Sequence, residues 1–527
     1  MQIVIPMSGF GERFRAAGYK VPKPLILVDN RTIIQHVIEM FPGETDFIFI
    51  CNSDHLANAD FNMRSILNSI MPSGKIVSIE PHKLGPIHAV LSAIDLIDLD
   101  QQVIVNYCDF GCYWDFNNFK KHVRERDADG AIPSYKGFHP HTLWSNYYAY
   151  LKETDGWVSG IQEKTPFTST PTEEYASSGT YYFKNGNMMK TYLERCVSEE
   201  LMVNGEYYVS MSYEPMINDG KAVCVYELEH FMQWGTPADL KEYQYWSNLF
   251  ASMTNVQERP AQDGYILMPM AGLGSRFKAR GFDMPKPLLS VSGNAMAVAA
   301  LNSLPKAPQE RFVLRADIAE LGELKSSMTR AAVNPSFIVL DESTDGQATT
   351  CLLGAGDIDP LSTLTIGACD NGLIYKAKEF ELLMADESVD VIIWTARGYP
   401  GAERRPEMYG WVQVAEDNLT VKSISVKKPL KDTSQDPIVV GTFTFKRYSD
   451  FTESVARMKS RSGKVNGEYY VDTAINDAIA LGKKCVVFDV DYYLCWGTPD
   501  DLDTYKYWES CFHKWDSHPF QKLQHNN

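Results

Sequence analysis

The feature that most constrains this chain is that it repeats itself at domain length. IPMSGFGERF at 5–14 recurs as MPMAGLGSRF at 268–277, and PKPL at 22–25 recurs as PKPL at 285–288. NGEYYV at 204–209 returns at 466–471, and WGTP at 234–237 returns at 496–499. The offsets stay in register: 272 − 9 = 263, 286 − 23 = 263, 466 − 204 = 262 and 497 − 235 = 262. A period this long denotes a copied domain, since solenoid repeats recur every 20–50 residues. A length of 527 residues also exceeds what one hydrophobic core usually organises. The expected layout is a first domain over 1–255 and a second over 264–520. A polar, proline-bearing linker at 251–263 joins them.

Within each copy, apolar strand-like runs alternate with helical stretches. Strands are expected at 3–6, 47–51, 75–80 and 102–109, with 265–269, 312–314 onward, 337–342 and 363–370 in the second copy. A helix is expected over 88–97. Such alternation implies an α/β fold with a mostly parallel sheet, helices on both faces, and ligands at the carboxyl ends of the strands. The aromatic stretches EYQYW at 242–246 and YKYW at 505–508 are expected to pack each copy's last helix on its core.

Composition removes several function classes. A net charge of −17 speaks against a nucleic-acid polymer as partner. No apolar run is long enough to span a membrane, so no membrane insertion is expected. The opening MQIVIPMSGFGERF shows no basic stretch followed by an apolar core of a leader, and the expectation is a cytoplasmic protein. The ten cysteines form no CxxC pair and are expected as buried thiols.

The glycine loop holds the first chemical clue. Glycines at alternate positions after a strand let backbone N–H groups approach a phosphate. A dinucleotide fingerprint would carry Gly or Ala where Phe14 and Phe277 stand, and a Walker loop would need GxxxxGK[ST]. The loop reads GxGxRF, with PKP beginning nine residues after the arginine. Arg13 and Lys23, like Arg276 and Lys286, would set two cations beside the phosphates, as stabilising a triphosphate and its leaving pyrophosphate requires. The competing reading is a tight turn and a surface lysine.

The full pattern, [IM]PM[SA]GxGxRFxxxGxxxPKPL, resembles the sugar nucleotidyltransferases, or NDP-sugar pyrophosphorylases, of GT-A-like fold. It is most similar to their capsule and surface-polysaccharide branch. The resemblance implies two tandem Rossmann-like (GT-A-like) nucleotidyltransferase domains that transfer a nucleotidyl group from an NTP to a phosphorylated small-molecule acceptor. It also implies a Mg²⁺ or Mn²⁺ cofactor, and it leaves room for a homo-oligomer. Nucleotide contacts would come from Gly9, Gly11 and Gly85, and from Gly272, Gly274, Gly346 and Gln347. The metal would sit on Asp109 and Asp370, which could otherwise be helix caps or turn residues. Asp472 would add a second carboxylate in the second copy. Ser210 aligns with it in the first, where Glu206, the counterpart of Glu468, is a candidate substitute. The acceptor pocket would use Glu163, Lys164 and Gly179, and in the second copy Lys427 and Gly441, with Val426 where the glutamate should be.

His139-Pro140-His141 is read as part of a loop over the acceptor site, spanning 139–145, in preference to a metal pair. Arg404-Arg405 is open between an anion contact and a solvated loop. Two rivals compete with a bifunctional enzyme. In one, a single copy catalyses while the other binds a nucleotide or product as a regulatory or structural module. In the other, the chain is a glycosyltransferase, which would carry a DxD motif and no PKP lysine.

Overall fold

The computed structural model describes residues 1–144, 147–254 and 259–521. Ser145, the end of the 139–145 loop, lies outside the described residues, as do linker residues 255–258 and with them the expected domain end at Asn255. The chain divides into two compact units, Met1–Ala251 with Ser510 and the residues after it, and Ser252–Glu509.

The first unit is built on a ten-stranded sheet. One end is parallel, in the order Val103–Asn106, Gln2–Met7, Asp46–Asn52, Lys75–Ile79. The three inner segments are nearly continuous apolar runs, as strands covered on both faces are, and Ile3, Val4, Ile5, Phe47, Ile48, Phe49 and Ile50 are wholly buried, while the edge strand Lys75–Ile79 is largely accessible. Burying each such side chain contributes about 1.5–3 kcal/mol. The expected helix over 88–97 begins earlier, at Pro86, whose fixed φ suits a first helical position. It ends at Ser92 and gives way to a 3₁₀ turn, Ile94–Leu96.

Beyond residue 106 the sheet departs from the mostly parallel expectation. Thr180–Phe183 lies antiparallel between Val103–Asn106 and Gly130–Tyr135. Ala149–Thr154 and Trp157–Glu163 form an antiparallel hairpin. Its turn, Asp155-Gly156, has φ of 52° and 78°, the left-handed pair that a tight hairpin demands. The correction has a simple cause: strand–helix alternation marks only the first part of the domain, and beyond it a hairpin and the returning strand Thr180–Phe183 run antiparallel.

The second unit has a nine-stranded sheet running Pro335–Leu340, Gln309–Arg315, Tyr265–Pro269, Leu364–Ile366, Ile438–Phe445, Val391–Ala396, Cys485–Asp489. Its first three pairings are parallel, and Ile438–Phe445 runs antiparallel to both its neighbours. The hairpin strands Gly410–Val414 and Val421–Val426 attach to Ile438–Phe445.

Each unit also carries a separate two-stranded ribbon, Phe110–Tyr113 with His230–Gln233 in the first and Asn371–Ile374 with Tyr492–Cys495 in the second. A Cβ on Gly111 would stand 2.7 Å from the Trp234 ring, and one on Gly372 would stand 2.8 Å from Trp496, so each glycine lets a tryptophan lie flat on its ribbon. The last helices, Pro237–Ser252 and Pro499–Lys514, bury Tyr243 and Trp246, and Tyr505 and Trp508. Among the described residues no helix is long and apolar enough to cross a membrane. All ten cysteines are free thiols, eight of them buried.

Candidate active site

The glycine loop follows the central parallel strand of each unit. Gly11 and Gly274 both adopt φ +62°, opening the short helices Glu12–Ala16 and Ser275–Ala279. Gly9 and Gly272 have a different role. A Cβ at either would meet nothing within 4 Å, so neither glycine serves packing and both face open space.

Behind the loop stands a three-point tie. Lys23 Nζ donates to Asp109 Oδ2 at 2.7 Å and to the Gly235 carbonyl at 3.0 Å, with the Phe14 ring 5.5 Å away. In the second unit Lys286 Nζ donates to Asp370 Oδ2 at 2.5 Å and to the Gly497 carbonyl at 2.9 Å, with Phe277 5.5 Å away. The aspartates follow the strands Val103–Asn106 and Leu364–Ile366, and their own carbonyls accept from Trp234 N and Trp496 N. The WGTP repeat, to which sequence reasoning gave no role, thus closes the tie through its glycine carbonyl. Its recurrence in register was the available signal.

Gly85 and Gly346 couple the loop before a helix to the NGEYYV segment. Tyr207 N donates to Leu84 O, and Ile87 N to Tyr207 O. Tyr469 bonds Asp345 O and Ala348 N in the same way. A Cβ on Gly85 would come within 2.7 Å of Tyr207 O, and one on Gly346 within 2.4 Å of Tyr469 N. These glycines are required by backbone packing. Gln347 opens the helix Gln347–Ala355, where the first unit has Pro86.

In the first unit a cavity of about 800 Å³ gathers the residues singled out from the sequence: Arg13, Lys23, Asp109, Glu163, Lys164 and the four glycines 9, 11, 85 and 179. Arg13 is exposed at its rim. Glu163 accepts from Ser210 Oγ at 2.6 Å; burial raises its carboxyl pKa, opposed by that hydrogen bond and by Lys164. Lys164 Nζ meets Tyr208 OH at 2.5 Å, and Tyr208 OH donates to Glu206. Glu206 is therefore held in a Lys164–Tyr208–Glu206 chain. Asp239, which sequence reasoning overlooked, also lines the cavity and accepts from Thr236 Oγ1 at 2.6 Å; burial pushes its carboxyl up to about 6.

In the second unit Arg276 is exposed and reaches Met408 Sδ at 3.9 Å, and Lys427 Nζ donates to the Met408 carbonyl at 2.8 Å. Asp472 stands in the first turn of Val471–Ala480; burial pushes its carboxyl up to about 6, and Lys427 is the charged side chain that pulls it back. Gly441, with φ +78°, faces Ala368 and Asn371, while Gly179, with φ +97°, faces Tyr107 and Phe110.

The remaining candidates resolve differently. His141 bonds Tyr135 OH at 2.9 Å and packs on Tyr148 and Phe231, both of which line the cavity. Burial drives His139 down to about 3. Both rings are therefore neutral packing behind the cavity wall near neutral pH. Arg405 is committed to Asp500 at 2.6 Å. Among the described residues, no group of three or more His, Cys, Asp or Glu side chains is clustered to hold a metal.

Comparison with known proteins now bears on this geometry. The family model described as Nucleotidyl transferase matches residues 3–243. Comparison with curated proteins gives no match. Among solved structures, a nucleoside-diphosphate-sugar pyrophosphorylase from Vibrio cholerae RC9 is similar at 19% identity and a TM-score of 0.39, over 46% of this chain and 99% of that one. A UDP-glucose pyrophosphorylase from Acinetobacter baumannii is similar at 18% and 0.37, over 47% and 93%. An inositol-1-phosphate CTP transferase from T. maritima is similar at 14% and 0.37, over 48% and 96%. Residues 3–243, which carry the glycine loop, Lys23, Asp109 and the WGTP carbonyl, are what the nucleotidyl transferase model matches, and this match supports an enzyme of the nucleotidyltransferase type.

Proposed function

We propose that both units are nucleotidyltransferase domains, each moving a nucleoside monophosphate from an NTP to a sugar 1-phosphate or similar phosphorylated small molecule and releasing pyrophosphate. The observation that carries this reading is the lysine–aspartate–glycine-carbonyl tie beside a glycine loop, present in each unit.

The chemistry asks little of the protein covalently. An acceptor phosphate oxygen attacks the α-phosphorus, the bond from that phosphorus to the bridging oxygen breaks, and pyrophosphate leaves with the electron pair. The protein must align the two substrates and neutralise charge. An ammonium has three N–H donors. Asp109 and Gly235 take two from Lys23 and orient the group, which leaves a third for a phosphate oxygen. Lys286 is held alike. The unobstructed faces of Gly9 and Gly272 supply room for phosphate to approach backbone N–H groups.

Charge supports a divalent cation. The first cavity is lined by four cationic side chains, Arg13, Lys23, Lys83 and Lys164, against five carboxyl groups, Glu12, Asp109, Glu163, Glu206 and Asp239. Such a wall does not compensate a triphosphate by itself. Mg²⁺ commonly binds through one or two carboxylates plus substrate phosphates, a donor set that Asp109 or Asp370 with an NTP fits. When bound, the ion would screen the phosphates and polarise the α-phosphorus. Asp109 and Asp370 would hold it, and Lys164 and Lys427 would receive the acceptor. In this reading the enzyme is cytoplasmic and its product is an activated precursor for surface polysaccharide or glycoconjugate assembly, supported by the motif resemblance.

The test is pyrophosphate release from each NTP with a panel of phosphorylated acceptors, using wild type, Asp109→Ala and Asp370→Ala. Each substitution is expected to abolish a different activity. A wild type silent with every NTP and acceptor would remove the proposal.

A further inference from the structure

At one rung of the antiparallel hairpin, the two units differ at three positions in a linked way. In the first unit Ala149 pairs with Glu163, whose carboxylate touches Ser210 on the following 3₁₀ turn. In the second unit the rung is Gly410 with Val426, and the residue in place of Ser210 is Asp472. The offsets, 410 − 149 = 261, 426 − 163 = 263 and 472 − 210 = 262, match those of the repeat. A Cβ on Gly410 would stand 2.4 Å from Asp472 Oδ2. The Asp472 carboxylate therefore lies directly over the rung, in a position an alanine at 410 would deny it. Where the strand supplies the carboxylate, the partner is a serine and the rung keeps its alanine. Where the helix supplies it, the strand offers valine and the rung is stripped to glycine.

In both units this carboxylate stands within electrostatic reach of the lysine that follows the hairpin strand, Glu163 with Lys164 and Asp472 with Lys427. Both lysines share an unusual backbone, with φ of 59° and 60°. We infer that one acceptor-side carboxylate has been handed from strand to helix, so that Asp472 is the functional counterpart of Glu163. Its task is to accept a hydroxyl hydrogen bond from a polyol phosphate beside Lys427, and it is not a second metal ligand. The inference rests on the proposed reading of Lys164 and Lys427 as acceptor lysines. A carboxylate that only accepts, next to an ammonium that only donates, suits a ligand bearing both hydroxyl and phosphate groups. The aspartate is shorter and comes from a helix where the glutamate comes from a strand, so the two units are expected to prefer different polyol phosphates. The exchange also removes the apparent deficit of each copy, since neither lacks the group.

Two measurements on the full chain separate the roles. In the first, binding of Mn²⁺ in the presence of an NTP whose α–β bridge cannot be cleaved is followed by electron paramagnetic resonance. Asp370→Ala is expected to weaken one class of site about tenfold or more, and Asp472→Ser to leave it within twofold. In the second, pyrophosphate release is measured with sugar 1-phosphates in an Asp109→Ala background. Asp472→Ser is expected to raise the acceptor KM at least tenfold while the NTP KM and the Mg²⁺ requirement stay unchanged. Gly410→Ala/Val426→Glu/Asp472→Ser is expected to return the acceptor KM to within about threefold of the parent. Thermal melts of every variant establish that each is folded. Loss of Mn²⁺ binding in Asp472→Ser would overturn the inference, as would a folded triple variant as impaired as the single one. Absence of turnover in the wild type would refute the proposed reaction, and the Mn²⁺ measurement would still decide whether Asp472 is a metal ligand.

Discussion

Replacing Gly85 and Gly9 in turn by alanine separates a glycine needed for folding from one needed for ligand. At Gly85, φ is +88°, and a Cβ would lie 2.7 Å from Tyr207 O and 2.8 Å from Tyr207 N. The left-handed backbone costs an L-residue about 1–3 kcal/mol. The clash is with main chain held by Tyr207 N–Leu84 O and Ile87 N–Tyr207 O, so it cannot be relieved by turning a side chain. Overpacking of that kind adds about 1–3 kcal/mol. A loss of about 3 kcal/mol in a unit of this size corresponds to a fall in Tm of about 6–12 °C. At Gly9 nothing lies within 4 Å of the added methyl, so stability should change by less than about 0.5 kcal/mol. There the methyl would instead occupy the space reserved for phosphate, and NTP affinity should drop about tenfold or more. Differential scanning calorimetry without ligand, paired with nucleotide titration calorimetry, reads both effects. Equal melting losses in the two variants, or a Gly85→Ala protein that melts like wild type, would refute the division.

Other expectations follow from the same geometry. Lys23→Met in an Asp370→Ala background should cut pyrophosphate release about 10²–10³-fold, as loss of a preorganised charge contact does, and a fall of less than fivefold would count against the tie. Chelation by EDTA should abolish both activities, with Mg²⁺ or Mn²⁺ restoring them; persistent turnover in metal-free enzyme would contradict Asp109 and Asp370 as ion-holding groups. Burial lifts the Asp239 carboxyl from its ordinary 3.8 to about 6 in the fold, so its contribution to stability is complete below the lower value and is lost as pH rises through the upper one. That loss is at most about 3 kcal/mol, and urea denaturation at pH 4 to 7 should show Asp239→Asn with a flatter profile than wild type; parallel profiles would remove Asp239 from the account.

The central parallel strands, Gln2–Met7 and Tyr265–Pro269 with Asp46–Asn52, were readable from their apolar runs, because strands buried on both faces leave little room for polar alternation. Asp155-Gly156 is a hairpin-type dipeptide whose local signal lies outside any strand–helix alternation. The tie itself was only half legible. Lys23 and Asp109 stood out through chemistry and position, but their third partner is a main-chain carbonyl 212 residues beyond the lysine, and carbonyls carry no sequence signature. The contact of Glu163 with Ser210 was hidden for a related reason. It depends on how a turn packs across a strand 47 residues away, and in a linear alignment the pair reads as two separate departures from pattern. His139 and His141 look chemical, as two histidines in three residues, yet their surroundings of Tyr135, Tyr148 and Phe231 make them packing groups, and the sequence itself already argues against a metal pair.

The Gly235 carbonyl that steadies Lys23 has a temporal consequence during synthesis. A ribosome that has released only the first 200 residues has already delivered the glycine loop, Lys23 and Asp109, yet the ammonium still lacks the anchor that aims it. On the proposed reading, the Lys23 ammonium gains this second partner only once the ribbon strand His230–Gln233 and the turn after it have been made, near the end of the stretch Met1–Ala251.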